Sequence, residues 1–294
     1  MQRGQTPAGM HRSICVDEII AVLNPKPGDT GADLTLGFGG HTQVLLPLVQ
    51  PAGRIFGMDV DPIELPRTTA RLRALGYGED ALRVHRANFS DLATLMLDAG
   101  GGFDFVLADL GVSSMQIDNP ARGFSLRLDP TSGHSASELL LCVTRPRLRD
   151  LLTDNSDEPF AVPLAAALQG QYLETTFQLA DLVRATMELA YKRSMPAEER
   201  LVETKKVLQR TFQALRIEVN NEFGVLDTML WSLPACLKPG GRVAILSFHS
   251  GEDRRVKKCF QTGERNGTFS SVAPDPIRAS YDEQRSNPRS SSAM

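Results

Sequence analysis

Apolar positions along this chain alternate between two rhythms. Residues 30–41 read TGADLTLGFGGH, an apolar run closing in a glycine-rich turn, and RIFGMD, LRVHRANF, FDFVLADL and RVAILSF are further short, nearly continuous apolar runs ending near Asp59, Phe89, Asp109 and Phe248. Runs of that kind are strands buried on both faces. Between them the period lengthens. Residues 41–49 predict a short helix, Asp61 and Pro62 a capped helix start continued by Leu65, Leu72 and Leu75 with Pro66 early in it, and Ser90 the cap of another short helix. Strands alternating with helices predict an α/β fold with a parallel, doubly wound sheet, whose ligand crevice lies at the carboxyl ends of the strands. Asp59, Phe89 and Asp109 all fall at such ends.

The rhythm then changes. Residues 117–204 contain no convincing buried strand and are punctuated by Pro146, Pro159, Pro163 and Pro196, which predicts an inserted helical domain. From Lys205 a long helix is predicted, with Leu208, Phe212, Leu215, Val219, Phe223, Leu226, Leu230 and Leu233 recurring at steps of three and four as one core stripe. KPGG at 238–241 reads as a turn and GEDRRVKKCF at 251–260 as a basic helix. The predicted organisation is a discontinuous sheet domain over 11–116 and 205–262, an insertion over 117–204, and a polar, mobile tail over 263–294.

Charge and cysteine content narrow the class. Lys plus Arg number 32 against 35 Asp plus Glu, a formal net charge of −3, so any polyanion must be met by local patches. Cys15, Cys142, Cys236 and Cys259 lack CxxC spacing, which argues against a zinc site and a disulfide framework, and no metal is expected. No apolar run approaches the roughly 18–20 residues that span a bilayer. A soluble, cytoplasmic protein is the expectation, with a mitochondrion or chloroplast as the alternative for a eukaryotic source.

The candidate chemistry sits at the strand ends. A strand entering a tight glycine turn brings bare backbone to a ligand, and a carboxylate ending the next strand can accept hydrogen bonds from ribose hydroxyls. Gly37 and Gly39 meet the first two positions of the dinucleotide fingerprint but the third falls on Thr42, which disfavours a nucleotide-dependent oxidoreductase. A glycine turn followed by His41 suits a ligand whose sugar and short charged tail cross the strand ends, as in S-adenosylmethionine. Asp109 stands at the expected switch point of the sheet, and its ordinary alternative is a helix cap or an ion pair with Arg122. Ser113 and Ser114 have no evident base to make either a nucleophile. His249 ends another strand, where a structural histidine is the usual occupant. Arg254, Arg255, Lys257 and Lys258 form a basic helix end able to meet phosphates. Gln213, Arg216 and Asn220 lie at i, i+3 and i+7 on a face away from the leucine stripe, suited either to reading a nucleobase or to an ordinary wet surface.

Taken in order, TLGFGGH, MDVDP, DLGVSSMQID, RGFS, RTFQALRIEVNNEF and GGRVAILSFHSGEDRRVK resemble the methyltransferase family that N4-methylates a cytidine of small-subunit ribosomal RNA, a likeness running from His11 to about Arg289. The resemblance implies a class I, Rossmann-like methyltransferase with an inserted helical domain, S-adenosylmethionine as donor and small ribosomal subunit RNA as partner, and it leaves a homodimer open. It implies donor contacts from Gly39, Gly40, His41, Asp59, Phe89, Asp109 and Gln116. For proton acceptance Asp109 is the first candidate and His249 the second, and Arg122, Gln213, Arg216, Asn220, Arg254 and Lys257 are candidate RNA contacts. Against the family pattern, the stretch after RGFS is short, Pro163 is expected to disturb its helix, and the tail stops at NPRSSSAM where the family runs on into a terminal strand, leaving a last strand incomplete. A ribosome-assembly factor that keeps the donor-binding fold with weakened turnover is the competing class.

Overall fold

The computed structural model describes residues 13–111, 124–191, 195–287, 290, 293 and 294. The chain divides into two compact units, with boundaries between residues 111 and 112 and between 223 and 224.

The first unit is built on a five-stranded parallel sheet of order β3-β2-β1-β4-β5, comprising β1 (Thr30–Asp33), β2 (Arg54–Asp59), β3 (Leu82–Arg86), β4 (Phe103–Asp109) and β5 (Leu237–Leu246). Successive side chains serve opposite faces. In β4, Phe105 and Leu107 join one apolar cluster while Phe103, Val106 and Ala108 join another. Three helices supply the first cluster: α1 (Val16–Leu23), α2 (Gly40–Val49) and α3 (Glu64–Ala74). The second draws on α4 (Leu92–Ala99), the later helix Glu222–Cys236 and the helix Ser250–Arg265. Each fully buried Leu or Phe in these layers contributes about 1.5–3 kcal/mol of apolar burial.

Several local expectations are corrected. Asn88, not Ser90, is the capping side chain, accepting the Ser90 N–H at 3.2 Å at the start of the short turn Phe89–Asp91. Asp61 does cap, taking the N–H groups of Ile63 and Glu64 at 2.9 and 3.2 Å. Pro66 causes no break, because it lies in the first turn of α3, where backbone N–H groups have no helical partner. KPGG is an excursion inside β5: Phe103 pairs with Leu237 and Phe105 with Arg242, so four residues loop out between two ladder positions. The tail is folded back rather than loose. Ala279 and Ala293 are buried in the first cluster, and Ser247 and Met294 exchange both backbone hydrogen bonds at 2.9 Å.

The second unit is helical: α5 (Ala136–Cys142), α6 (Arg145–Ser156), α7 (Ala161–Leu168), α8 (Thr176–Ala190) and α9 (Ala197–Asn220) enclose their own apolar cluster. Ser135 with Glu138 and Thr175 with Gln178 form capping boxes that start α5 and α8. Pro163 leaves α7 intact because it too sits in a first turn. Glu158 is buried and held by Arg210 Nε at 2.8 Å.

The predicted single long helix is two. Asn221 adopts a left-handed conformation, φ 48°, and separates α9 from α10 (Glu222–Cys236). The leucine stripe consequently serves two cores: Leu208, Phe212, Leu215 and Val219 pack in the helical unit, while Leu226, Leu230 and Leu233 pack against the sheet. Periodicity alone carries no mark of the break, since both halves keep helical spacing.

Candidate functional site

The order of the sheet sets the site. From β1 the chain steps to β2 and β3 on one side, then returns to place β4 on the other, so β1 and β4 flank a topological switch point. Three adjacent strands, β2, β1 and β4, all end in aspartate, at Asp59, Asp33 and Asp109.

The segment after β1 stays tied to both neighbours. Leu34 N–H still reaches Leu107 O of β4, and Leu36 N–H reaches Met58 O of β2, each at 2.9 Å. The turn that follows holds Gly37 at φ 47° and Gly39 at φ 73°, left-handed values that side chains resist, and Gly39 leads into α2. A Cβ on Gly39 would also lie 2.9 Å from Thr68 Cγ2 and 3.0 Å from Leu72 Cδ1. Gly39→Ala is therefore expected to cost about 1–3 kcal/mol in unfolding free energy, read from the denaturant midpoint, and to weaken donor binding in parallel. Arg71 of α3 clamps the same turn: its guanidinium stacks on the Phe38 ring at 4.1 Å, donates to Phe38 O and bonds Gln43 Oε1 at 2.8 Å.

Asp59 carries two duties. Its Oδ2 accepts the Gly37 N–H at 2.7 Å and its Oδ1 the Asp61 N–H at 2.9 Å, which fixes the carboxylate and leaves lone pairs for a ligand's hydroxyls. Burial pushes its pKa up, against the pull of those backbone donors. Asp33, which the sequence reading did not single out, is also buried and raised by burial, with Thr42 Oγ1 donating to it at 2.6 Å and Thr35 N–H at 3.2 Å. An aspartate closing the first strand was the available signal.

His41, in the first turn of α2, lies with Nε2 3.5 Å from Asp109 Oδ2, a distance of ionic contact. Burial works against its imidazolium, but Asp109, supported by Asp33 and Glu283, outweighs it, and the pKa is raised. His41 Nδ1 is buried with no hydrogen-bond partner among the described residues. Asp109 is itself set by its backbone N–H, which donates to Thr35 Oγ1 at 2.6 Å.

The other sequence-derived candidates are placed as follows. Phe89 opens the turn at the end of β3 and packs against the second apolar cluster of the sheet unit. Gln116 and Arg122 lie outside the described residues. His249 precedes helix α11 (Ser250–Arg265), its Nε2 3.2 Å from Glu252 Oε1, while Glu252 Oε2 accepts the Phe248 N–H at 2.9 Å. On α11, Lys257 pairs with Asp253 at 2.8 Å and Arg254 Nε bonds Ser250 O at 3.2 Å. In the helical unit, Gln213 Nε2 bonds Asn155 O at 3.3 Å and Arg216 grips Glu222 with two bonds of 2.8 and 2.9 Å. Asn220 is bonded to Leu126 O and the Leu128 N–H, both at 2.8 Å. These three side chains thus organise their own unit. Spacing placed them on one face but could not reveal those partners.

The site therefore joins a carboxylate suited to ribose, a glycine turn at a helix start, and a His–Asp pair beside a second buried aspartate. These groups fit S-adenosylmethionine: Asp59 has acceptor capacity for hydroxyls, and His41 Nδ1 is a buried polar atom with no hydrogen-bond partner among the described residues.

Comparison with known proteins agrees with that fit. The model of the MraW methylase family matches residues 8–294. The chain is 47% identical over 305 residues to ribosomal RNA small subunit methyltransferase H 1 of Lachnoclostridium phytofermentans, covering 99% of this chain and 82% of that one. It is 48% identical to ribosomal RNA small subunit methyltransferase H 2 of Alkaliphilus metalliredigens, covering 100% and 86% respectively. A more distant relative, ribosomal RNA small subunit methyltransferase H of Leptothrix cholodnii, is 34% identical, covering 97% and 91%.

Proposed function

Because the chain belongs to the MraW methylase family, we propose that it transfers a methyl group from S-adenosylmethionine to N4 of a cytidine in small-subunit ribosomal RNA. The observation that carries the reading is the set of three aspartate-terminated strands around a glycine turn, in a chain nearly half identical to proteins named for small-subunit RNA methylation. S-adenosylmethionine supplies the methyl group, and the protein's task is positioning and proton management.

In this reading Asp59 holds the ribose, Phe89 flanks the adenine, and Gly39, Gly40 and His41 line the methionine part. Gln116 and Asp109, the latter by the donor's amino or reacting end, complete the donor contacts. Asp109 accepts a hydrogen bond from the cytosine amino group, which favours the pyramidal nitrogen, and takes its proton once the new C–N bond has formed. His249 is the second choice for that role, since its Nε2 is already engaged with Glu252. Arg254 and Lys257 are assigned to RNA phosphates and Arg122 to the substrate side. Gln213, Arg216 and Asn220 act on RNA by shaping the helical unit. A base that is paired or stacked must leave the duplex, at a cost of a few kcal/mol. We place the reaction in the cytoplasm, and no helix among the described residues is long and apolar enough to cross a membrane. The non-catalytic assembly-factor reading has no observation in its favour.

Incubating the protein with labelled S-adenosylmethionine and unmethylated small subunits, then digesting the RNA to nucleosides, is expected to give N4-methylcytidine as the single labelled product. Label on another nucleoside, or none from a protein that binds the donor, would overturn the assignment.

A further inference from the structure

A late segment of the chain brings a carboxylate to the turn before α1. Helix α12 (Tyr281–Ser286) begins at Ser280, whose Oγ accepts the Glu283 N–H at 3.2 Å. It is held down by Ala279, buried in the same apolar cluster as Ile14, Cys15, Phe105 and Leu107. Glu283 Oε1 accepts the backbone N–H of Cys15 at 2.9 Å, across 268 residues of sequence.

Cys15 needs such a partner. It is buried, adopts a left-handed conformation at φ 54° and precedes α1 without a side-chain cap. Left-handed backbone at a residue with a Cβ costs of order 1–3 kcal/mol and persists only where its surroundings fix it. The segment it fixes lies against the glycine turn: a Cβ on Gly40 would come 2.1 Å from Ser13 Oγ. Burial, with Glu283, Glu18 and Asp109, pushes the Cys15 thiol up to about 12, so the residue remains neutral.

We propose that Glu283 is a positioning residue of the S-adenosylmethionine site, fixing the Ser13–Cys15 turn behind Gly40 and His41 and adding its negative charge to the carboxylates around His41. The inference rests on the reading of Gly40 and His41 as donor contacts. Among the described residues, the charged groups that act on His41 are Asp33 at the end of β1, Asp109 at the end of β4 and Glu283 on α12, all of which favour the imidazolium. The Cys15 thiol and Glu18 of α1 stand within 4.8 Å of the Glu283 carboxylate.

Two variants separate hydrogen bond from charge. Glu283→Gln keeps an acceptor oxygen for the Cys15 N–H and removes the charge, whereas Glu283→Ala removes both. In the donor-free protein, the His41 imidazole is followed by NMR, assigned with His41→Gln, and its titration is expected to move to lower pH in both variants. The sign follows from the charge: the acidic neighbours favour the imidazolium of His41, so losing one lets it deprotonate earlier as pH rises. Equilibrium binding of S-adenosylmethionine is expected to weaken roughly ten-fold in Glu283→Ala, the size of one hydrogen bond to a charged group, and less in Glu283→Gln at low pH. An unmoved His41 titration in folded Glu283→Gln, or donor affinity equal to wild type in both variants, would overturn the proposal. Absence of S-adenosylmethionine binding in the wild-type protein would instead sink the donor-site reading, and the imidazole titration would still report on Glu283. Should Glu283→Ala not fold, Glu283→Gln carries the test.

Discussion

Asp109→Ala is expected to slow single-turnover methyl transfer by about 10²–10⁴-fold, the usual worth of a positioned proton acceptor, with a much smaller change in donor affinity. The carboxylate ends strand β4, at the switch point, with its backbone N–H fixed by Thr35 and its Oδ2 3.5 Å from His41. Truncation removes the acceptor that would orient the amino group and receive its proton, and leaves His41 with Asp33 and Glu283 as acidic neighbours. Asp109→Asn discriminates between the two duties. An amide oxygen still orients the amino group but does not take its proton, so a loss as large as in Asp109→Ala assigns proton acceptance to Asp109, and a loss under ten-fold assigns orientation alone. A transfer rate unchanged in both variants would move the acceptor role to His249.

Asp59→Asn is expected to weaken S-adenosylmethionine binding by about 100-fold and to be no milder than Asp59→Ala. The usual leniency of an isosteric change fails here because both carboxylate oxygens already accept backbone N–H groups, from Gly37 and Asp61. Asparagine has one oxygen, so its amino group must confront one of those donors. An unsatisfied buried donor costs about 1–3 kcal/mol, and the charge-assisted bonds to the ribose weaken as well. Calorimetric titration of both variants checks the ordering. The raised pKa of Asp59 adds a pH signature: as pH falls, this carboxylate takes up its proton earlier than an ordinary aspartate, and donor affinity falls with it. The same shift means that folding takes up a proton between the unfolded and folded pKa values, so its contribution to stability declines as pH rises through that window.

The readable parts of this protein are those whose cause is local. An apolar run ending in Asp59 or Asp109, and a glycine pair before His41, announce strand ends and a tight turn within a dozen residues. What escaped was set by distant partners. Arg71 reaches Phe38 from 33 residues away, and Glu283 meets Cys15 from 268; in sequence, each is one more charge on a polar stretch. Asn220 looked like a surface amide because the 126–128 backbone that it binds lies more than 90 residues earlier. Asn221 hid the division of the leucine stripe, since one left-handed residue interrupts a helix without disturbing its periodicity on either side.

The bond between Cys15 and Glu283 also orders events during synthesis. Strands β1 to β4 and the glycine turn leave the ribosome early, but the acceptor that holds the Cys15 turn is made only after the helical unit, α10, β5 and α11. Closing so long a loop adds little entropy cost beyond that of a shorter one, yet no nascent chain can close it before Glu283 emerges. The Cys15 turn is thus completed only once Glu283 has been made, so an elongating chain still short of Glu283 carries the aspartates and the glycine turn without that support.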